Sequence, residues 1–266
     1  MNAPNILVFD SGIGGLSVVQ AIRERIPNST IQYLADNERF PYGSLPAPEL
    51  LTRVVYLIEA SIRTTPCDII VIACNTASTL VLETLRDQIR IPIVGVVPAI
   101  KPAAALSKTG HIGLLATPAT IARDYTNKLI EQFAPSIHVH RIGSQTLVAL
   151  AEQQDSTPKE RETAIRKALA PWLDTPLLDK IDTVVLACTH FPLLKVDIQN
   201  TLTPTIRLVD SGEAIARRVE QLLTTIDVKA AMYDTATFTD VTTVSAPTRA
   251  LLQQHSITRI KAFNDE

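Results

Sequence analysis

The chain has 266 residues, 46% of them hydrophobic, with 25 Lys and Arg against 27 Asp and Glu for a net charge of −2. That length suits two domains of ordinary size, the apolar fraction excludes wholesale disorder, and no basic stripe of the kind a nucleic-acid binder carries is present. Three cysteines are too few for a disulfide framework, no apolar run is long enough to span a bilayer, and the first residues lack the regions of a secretory signal, so a cytoplasmic protein is expected.

Short apolar runs alternate with amphipathic stretches along the chain. Residues 6–9 read as a strand, the Gly-rich 10–15 as a tight turn and 16–26 as a helix. A strand over 31–35 and a helix over 49–63 follow, then a strand over 69–73, a helix over 77–88 and a strand over 93–97. After Pro98 the pattern restarts with a strand over 111–116 and a helix opened by Thr117-Pro118, proline being favoured at the first helical position. Strands are then predicted over 137–142, 183–187 and 207–209, and helices over 158–172, 192–199 and 212–224. The tail adds a strand-like 237–244 and a helix over 248–255. Continuous β-branched runs between helices predict βαβ units, with mainly parallel sheets covered on both faces.

One internal similarity links the two halves. Asp68-Ile-Ile-Val-Ile-Ala-Cys74 aligns without gaps to Asp182-Thr-Val-Val-Leu-Ala-Cys188, with Asp, Val, Ala and Cys identical. Each cysteine ends a buried strand and precedes a predicted helix, and in an open α/β sheet ligands bind at that carboxyl edge. Matched positions in two similar halves predict two thiols on opposing walls of one cleft.

Free cysteines are commonly small buried hydrophobes, and Cys67 is read that way. Cys74 and Cys188 differ in being followed by small polar residues, Asn75-Thr76 and Thr189-His190. A helix N-terminus or a nearby imidazolium favours the thiolate, and two such thiols supply a matched acid and base. The turn Asp10 to Gly15 presents backbone N–H groups at a helix start, where an anion is favoured. A dinucleotide fingerprint would need a glycine where Ser17 stands, although Asp36 lies at a suitable distance for a ribose contact. Zinc ligands can be drawn from Cys74, Cys188 and His190, or from His138 and His140 with a partner, but neither spacing fits a common structural pattern. His138 and His140 share a strand face that is expected to meet solvent, and no metal is predicted. Glu152, after the apolar run from Leu147 to Ala151, reads equally well as a helix-surface carboxylate. Phe40-Pro41-Tyr42-Gly43 reads as a loop.

Together these segments resemble glutamate racemase of the aspartate/glutamate racemase superfamily. The likeness rests on Phe9-Asp10-Ser11-Gly12-Ile13-Gly14-Gly15, Arg39-Phe40-Pro41-Tyr42-Gly43, Ala73-Cys74-Asn75-Thr76-Ala77, Leu114-Leu115-Ala116-Thr117-Pro118 and Ala187-Cys188-Thr189-His190-Phe191-Pro192-Leu193-Leu194. It runs in colinear order from Ile6 to about Leu223. The resemblance implies two similar three-layer α/β domains, residues 1–98 plus 208–266 and residues 99–207, with the active site in the cleft between them. It implies a cofactor-independent isomerase making D-glutamate for peptidoglycan, with Cys74 and Cys188 as the acid/base pair. Asp10, Glu152 and His190 would assist proton transfer. Asp10, Ser11, Tyr42, Gly43, Asn75, Thr76, Thr117, Thr189 and His190 would bind substrate. The implied partner is glutamate alone, with no nucleic acid or membrane, and the implied assembly is a homodimer. A racemase of aspartate, a non-catalytic amino-acid binding protein on the same scaffold, and a cysteine hydrolase using only Cys188 and His190 stand as alternatives.

Overall fold

Asn5–Asp10 is buried along its whole length, so this first strand, β1, has to be covered on both faces. The computed structural model describes residues 3–224 and 233–264. After β1 come α1 (Leu16–Arg25), β2 (Thr30–Ala35), α2 (Ala47–Thr64), β3 (Ile69–Ile72), α3 (Asn75–Gln88) and β4 (Ile93–Gly95). A second series follows: α4 (Ile100–Leu106), β5 (His111–Ala116), α5 (Pro118–Ala122), α6 (Asp124–Phe133), β6 (His138–Gly143), α7 (Gln145–Glu152), α8 (Pro158–Leu173), β7 (Thr183–Ala187), α9 (Lys195–Thr201) and β8 (Arg207–Val209). The chain then adds α10 (Gly212–Leu223), β9 (Thr235–Phe238), α11 (Ala246–Gln254) and β10 (Arg259–Ala262).

The chain divides into two units, Met1–Val96 with Gly212–Glu266, and Val97–Ser211. The first holds a sheet of order β10-β9-β2-β1-β3-β4 and the second a sheet of order β6-β5-β7-β8, with every pairing parallel. Within each, the first strand of the series lies between the second and the third, with the fourth outside. The repeat seen in sequence is therefore a repeat of topology. Its aspartates also do the same work: Asp68 accepts from Asn5 N at 2.8 Å at the start of β1, and Asp182 accepts from Lys108 N at 2.6 Å and Thr109 N at 2.9 Å just before β5. Burial would raise the Asp182 pKa, but these backbone bonds and the Ser107 and Thr183 hydroxyls bring it down to about 2.

Each sheet packs its apolar face on helices. In the first unit Leu7, Phe9, Ile70 and Ile72 meet Val54, Leu57 and Ile58 of α2 and Val81 and Leu85 of α3, with Cys67 buried among them. In the second, Ile112, Leu114, Ala116, Val185 and Ala187 meet Ile100 and Ala103 of α4. Each fully buried Leu or Ile contributes about 1.5–3 kcal/mol, and this fixes the strand ends where the functional side chains stand.

Several elements depart from the sequence reading. α3 begins at Asn75 and not at residue 77, which makes Cys74 its N-cap. The segment after His190 splits into a 3₁₀ turn, Phe191–Leu194, and the short α9. β9 ends at Phe238; Asp240 then accepts from Thr242 N at 3.0 Å, the local turn that Asp favours, and closes the extended run. α4, α6 and β10 were not anticipated, and α7 is the helix that the reading of Glu152 presupposed; β10, with Arg259 and Lys261 exposed, has the charged character of an edge strand.

Candidate active site

In the first unit the site residues gather at the carboxyl ends of β1 and β3. Phe9 pairs with Ile72, so Ser11 and Cys74 lie level just beyond the ladder. Their side chains approach to 4.0 Å between Ser11 Oγ and Cys74 Sγ. Asp10 is fully buried; its Oδ1 accepts from Gly12 N at 3.0 Å and from Ser11 Oγ at 3.4 Å. The turn's own carboxylate thus takes up one of the amides that the sequence offered to an anion. Gly15 permits this close packing, since a Cβ there would lie 2.9 Å from both Asp10 Cβ and the Tyr33 hydroxyl oxygen. Tyr33 in turn donates to Gly12 O at 2.6 Å.

Cys74 is 6% exposed and caps α3, so its sulfur stands where the partial positive charge of a 14-residue helix is concentrated. Ser78 Oγ donates to Ile72 O at 2.8 Å and accepts from Val96 N at 3.1 Å, fastening the start of α3 to the ends of β3 and β4. Asn75 and Thr76 are buried in the first turn. Asn75 Oδ1 is buried with no hydrogen-bond partner. Such an atom costs about 1–3 kcal/mol unless a ligand supplies a donor.

Tyr42 is also buried, but its hydroxyl donates to Asp36 Oδ2 at 2.6 Å. Burial raises its pKa well above 10, and Asp36 adds to the effect, so it stays a neutral donor. Arg53 forks onto the same carboxylate at 2.8 and 3.1 Å, and Thr239 donates to it at 2.9 Å. Asp36 is thereby saturated, which removes it as the ribose contact of a dinucleotide site. Gly43 follows in the 3₁₀ turn Tyr42–Ser44.

In the second unit the corresponding edge carries Thr117 and Cys188, one residue past the paired Ala116 and Ala187. A hydroxyl residue thus stands level with each thiol. Thr117 caps α5: its Oγ1 accepts from Thr120 N at 3.1 Å and donates to Thr120 Oγ1 at 2.9 Å. Cys188, Thr189 and His190 are all buried. The sequence reading gave Cys188 a helix N-terminus, as it did Cys74, but a 3₁₀ turn of four residues follows instead. Its partner is an imidazole: Cys188 Sγ lies 3.8 Å from His190 Nδ1, and His190 Nε2 lies 2.7 Å from Glu152 Oε2. Glu152, the last residue of α7, is therefore paired with His190 and is not a solitary helix-surface carboxylate. Burial would lower the His190 pKa, yet the bonds to Cys188 and Glu152 outweigh it and hold it well above 6.5. The imidazolium is a proton donor beside the sulfur. Sequence reasoning missed the Asp36–Arg53 support of Tyr42, which no local motif signals.

Against known proteins, residues 15–219 match the Asp/Glu/Hydantoin racemase family. The chain belongs to that family. It is 52% identical over 223 residues to a glutamate racemase of Shewanella denitrificans, covering 84% of this chain and 79% of the relative. A glutamate racemase of Aliivibrio fischeri is 50% identical over 228 residues, 86% of this chain and 84% of that one. The crystal structure of Escherichia coli glutamate racemase in complex with L-glutamate and the activator UDP-MurNAc-Ala superposes with a TM-score of 0.90 at 40% identity, covering 98% of each chain. With relatives this similar, the chain is an amino-acid racemase of the glutamate racemase group, an isomerase.

Proposed function

We propose that the protein interconverts L- and D-glutamate without a cofactor, with Cys74 and Cys188 as acid and base on opposite faces of the α-carbon. One thiolate takes the α-proton, leaving the electron pair delocalised into the carboxylate, and the other thiol returns a proton to the opposite face. The roles exchange in the reverse direction. Asp10 assists at Cys74, and the Glu152–His190 pair assists at Cys188. Ser11, Gly43, Asn75, Thr76, Thr117 and Thr189 hold the substrate's ammonium and carboxylates, together with Tyr42, whose hydroxyl Asp36 orients. The unpartnered Asn75 Oδ1 suits an ammonium donor.

The observation that carries the reading is the pair of buried thiols at equivalent strand ends, each with its own polar partner. It is supported by roughly half identity to glutamate racemases across most of the chain. In this reading the product feeds peptidoglycan synthesis from the cytoplasm, in keeping with three cysteines that are all unbridged. The test is polarimetry with pure L-glutamate. Optical rotation decaying to zero supports the proposal; decay with L-aspartate alone, or binding without any decay, contradicts it.

A further inference from the structure

A cluster of imidazoles lies outside the site described above. β6 forms one edge of the second unit's sheet, His138 and His140 alternate along it, and His111 of β5 is the register partner of His138. The His111 ring centre lies 4.6 Å from that of His138 and 5.2 Å from that of His140, within 7° of parallel to the latter. His111 Nδ1 stands 2.9 Å from His140 Nε2, so one proton at most lies between two ring nitrogens that point at each other. The solvent-facing edge expected of His138 and His140 is thus partly covered by a third histidine. These residues begin β5 and β6, whereas Cys188 follows the end of the parallel β7, so the cluster and that thiol stand at opposite ends of one sheet.

We propose that His111 and His140 chelate a first-row divalent transition metal such as Zn²⁺, with His138 as an additional ligand. Neutral imidazole is a preferred ligand for these ions. Two nitrogens bound to tetrahedral zinc at about 2.0–2.1 Å stand roughly 3.3 Å apart. The two nitrogens face each other across a 2.9 Å hydrogen bond, so binding releases the shared proton to solvent and swings both rings until their lone pairs converge on the ion. Among the described residues no three His, Cys, Asp or Glu side chains already converge on one metal position. His138 joins by turning about its side-chain bonds, for which its exposure on the edge strand leaves room. Water completes the coordination. The Lys180 ammonium acts on His140 and opposes a dication, which weakens the site.

The test is calorimetric titration of ZnCl₂ into the full chain carrying Cys74→Ser and Cys188→Ser, so that the active-site thiols do not compete for metal. One site is expected near pH 7.5, with affinity falling as the pH is lowered, because the metal competes with protons for the ring nitrogens. His140→Asn and His111→Asn, each checked for folding by circular dichroism, should weaken it by about tenfold or more. His138→Asn should weaken it less. Independently of any histidine variant, Ni²⁺ should broaden the imidazole NMR signals of His111 and His140 ahead of that of His190. Absence of binding, unchanged affinity in a folded His140→Asn or His111→Asn protein, or broadening at His190 first would overturn the proposal.

Discussion

Cys74 and Cys188 occupy the same place in two sheets that share a four-strand order, yet the chain surrounds them with different chemistry. Cys74 caps a 14-residue helix, with the Ser11 hydroxyl at 4.0 Å and Asp10 behind it. Cys188 precedes only a 3₁₀ turn, and its neighbour is a buried imidazolium held by a carboxylate. One thiol is served by a backbone dipole and a hydroxyl, the other by a side-chain ion pair. The enantiomers of glutamate have equal free energies, so a racemase needs each group to serve as acid and as base. Under the proposed mechanism, similar proton-transfer ability would be reached from one topological slot by unlike means.

The largest effects should come from the sulfurs. Cys74→Ser and Cys188→Ser should each cut racemisation by about 10³-fold or more, since a hydroxyl is a far weaker base than a thiolate. Cys67→Ser should retain near-normal turnover, because Cys67 lies in the core of the first unit. Steady-state rates of the three variants decide this, and normal activity in either of the first two would break the comparison. Next come the assisting groups: Asp10→Asn and His190→Asn are each expected to lower kcat by about 10²-fold. A loss in only one of them would mean that one thiol works unaided.

Glu152→Gln sharpens the difference through pH. His190 has its pKa raised in the fold, so its pairing adds stability that is complete below the ordinary imidazole value of ~6.5 and fades as pH rises through the folded value. Thermal melts should therefore show the wild type ahead of Glu152→Gln at pH 6, with the gap closing on the alkaline side; a gap that widens with pH would contradict the assignment. The smallest effect is on the Cys74 side. Gly15→Ala places a methyl 2.9 Å from Asp10 Cβ and the Tyr33 hydroxyl, and urea unfolding should register a loss of about 1–3 kcal/mol.

Strand and helix order was legible because it is written in local periodicity: residues 111–116, 183–187 and 207–209 are strands as the pattern predicts. The doubled Asp-to-Cys segment pointed to two similar halves with the cysteines at matched positions, and the shared four-strand order is consistent with it. What sequence left open lies in contacts between distant residues. Glu152 meets His190 across 38 positions, and its role could not be separated from that of a helix-surface carboxylate until α7 ended beside the imidazole. Arg53 reaches Asp36 across 17 positions, and His111 reaches His140 across 29, with no motif to announce either. The helix expected after Cys188 failed because that segment, with proline second in its turn, winds into 3₁₀ geometry before α9 begins.

In the proposed mechanism two different thiols handle the proton on the two faces of the α-carbon. A thiol carries a single proton, so the cysteine that abstracts from L-glutamate holds the substrate's own hydrogen on the starting face. The other cysteine, equilibrated with solvent, supplies the new one. Racemisation of L-glutamate in D₂O, stopped at low conversion with the enantiomers separated for mass analysis, tests this directly. Two thiols should yield D-glutamate deuterated at the α-carbon beside recovered L-glutamate that stays essentially unlabelled, with the mirror result from D-glutamate. Substantial deuterium in the unreacted enantiomer, or the original hydrogen retained in the product, would contradict it and leave a single exchanging base.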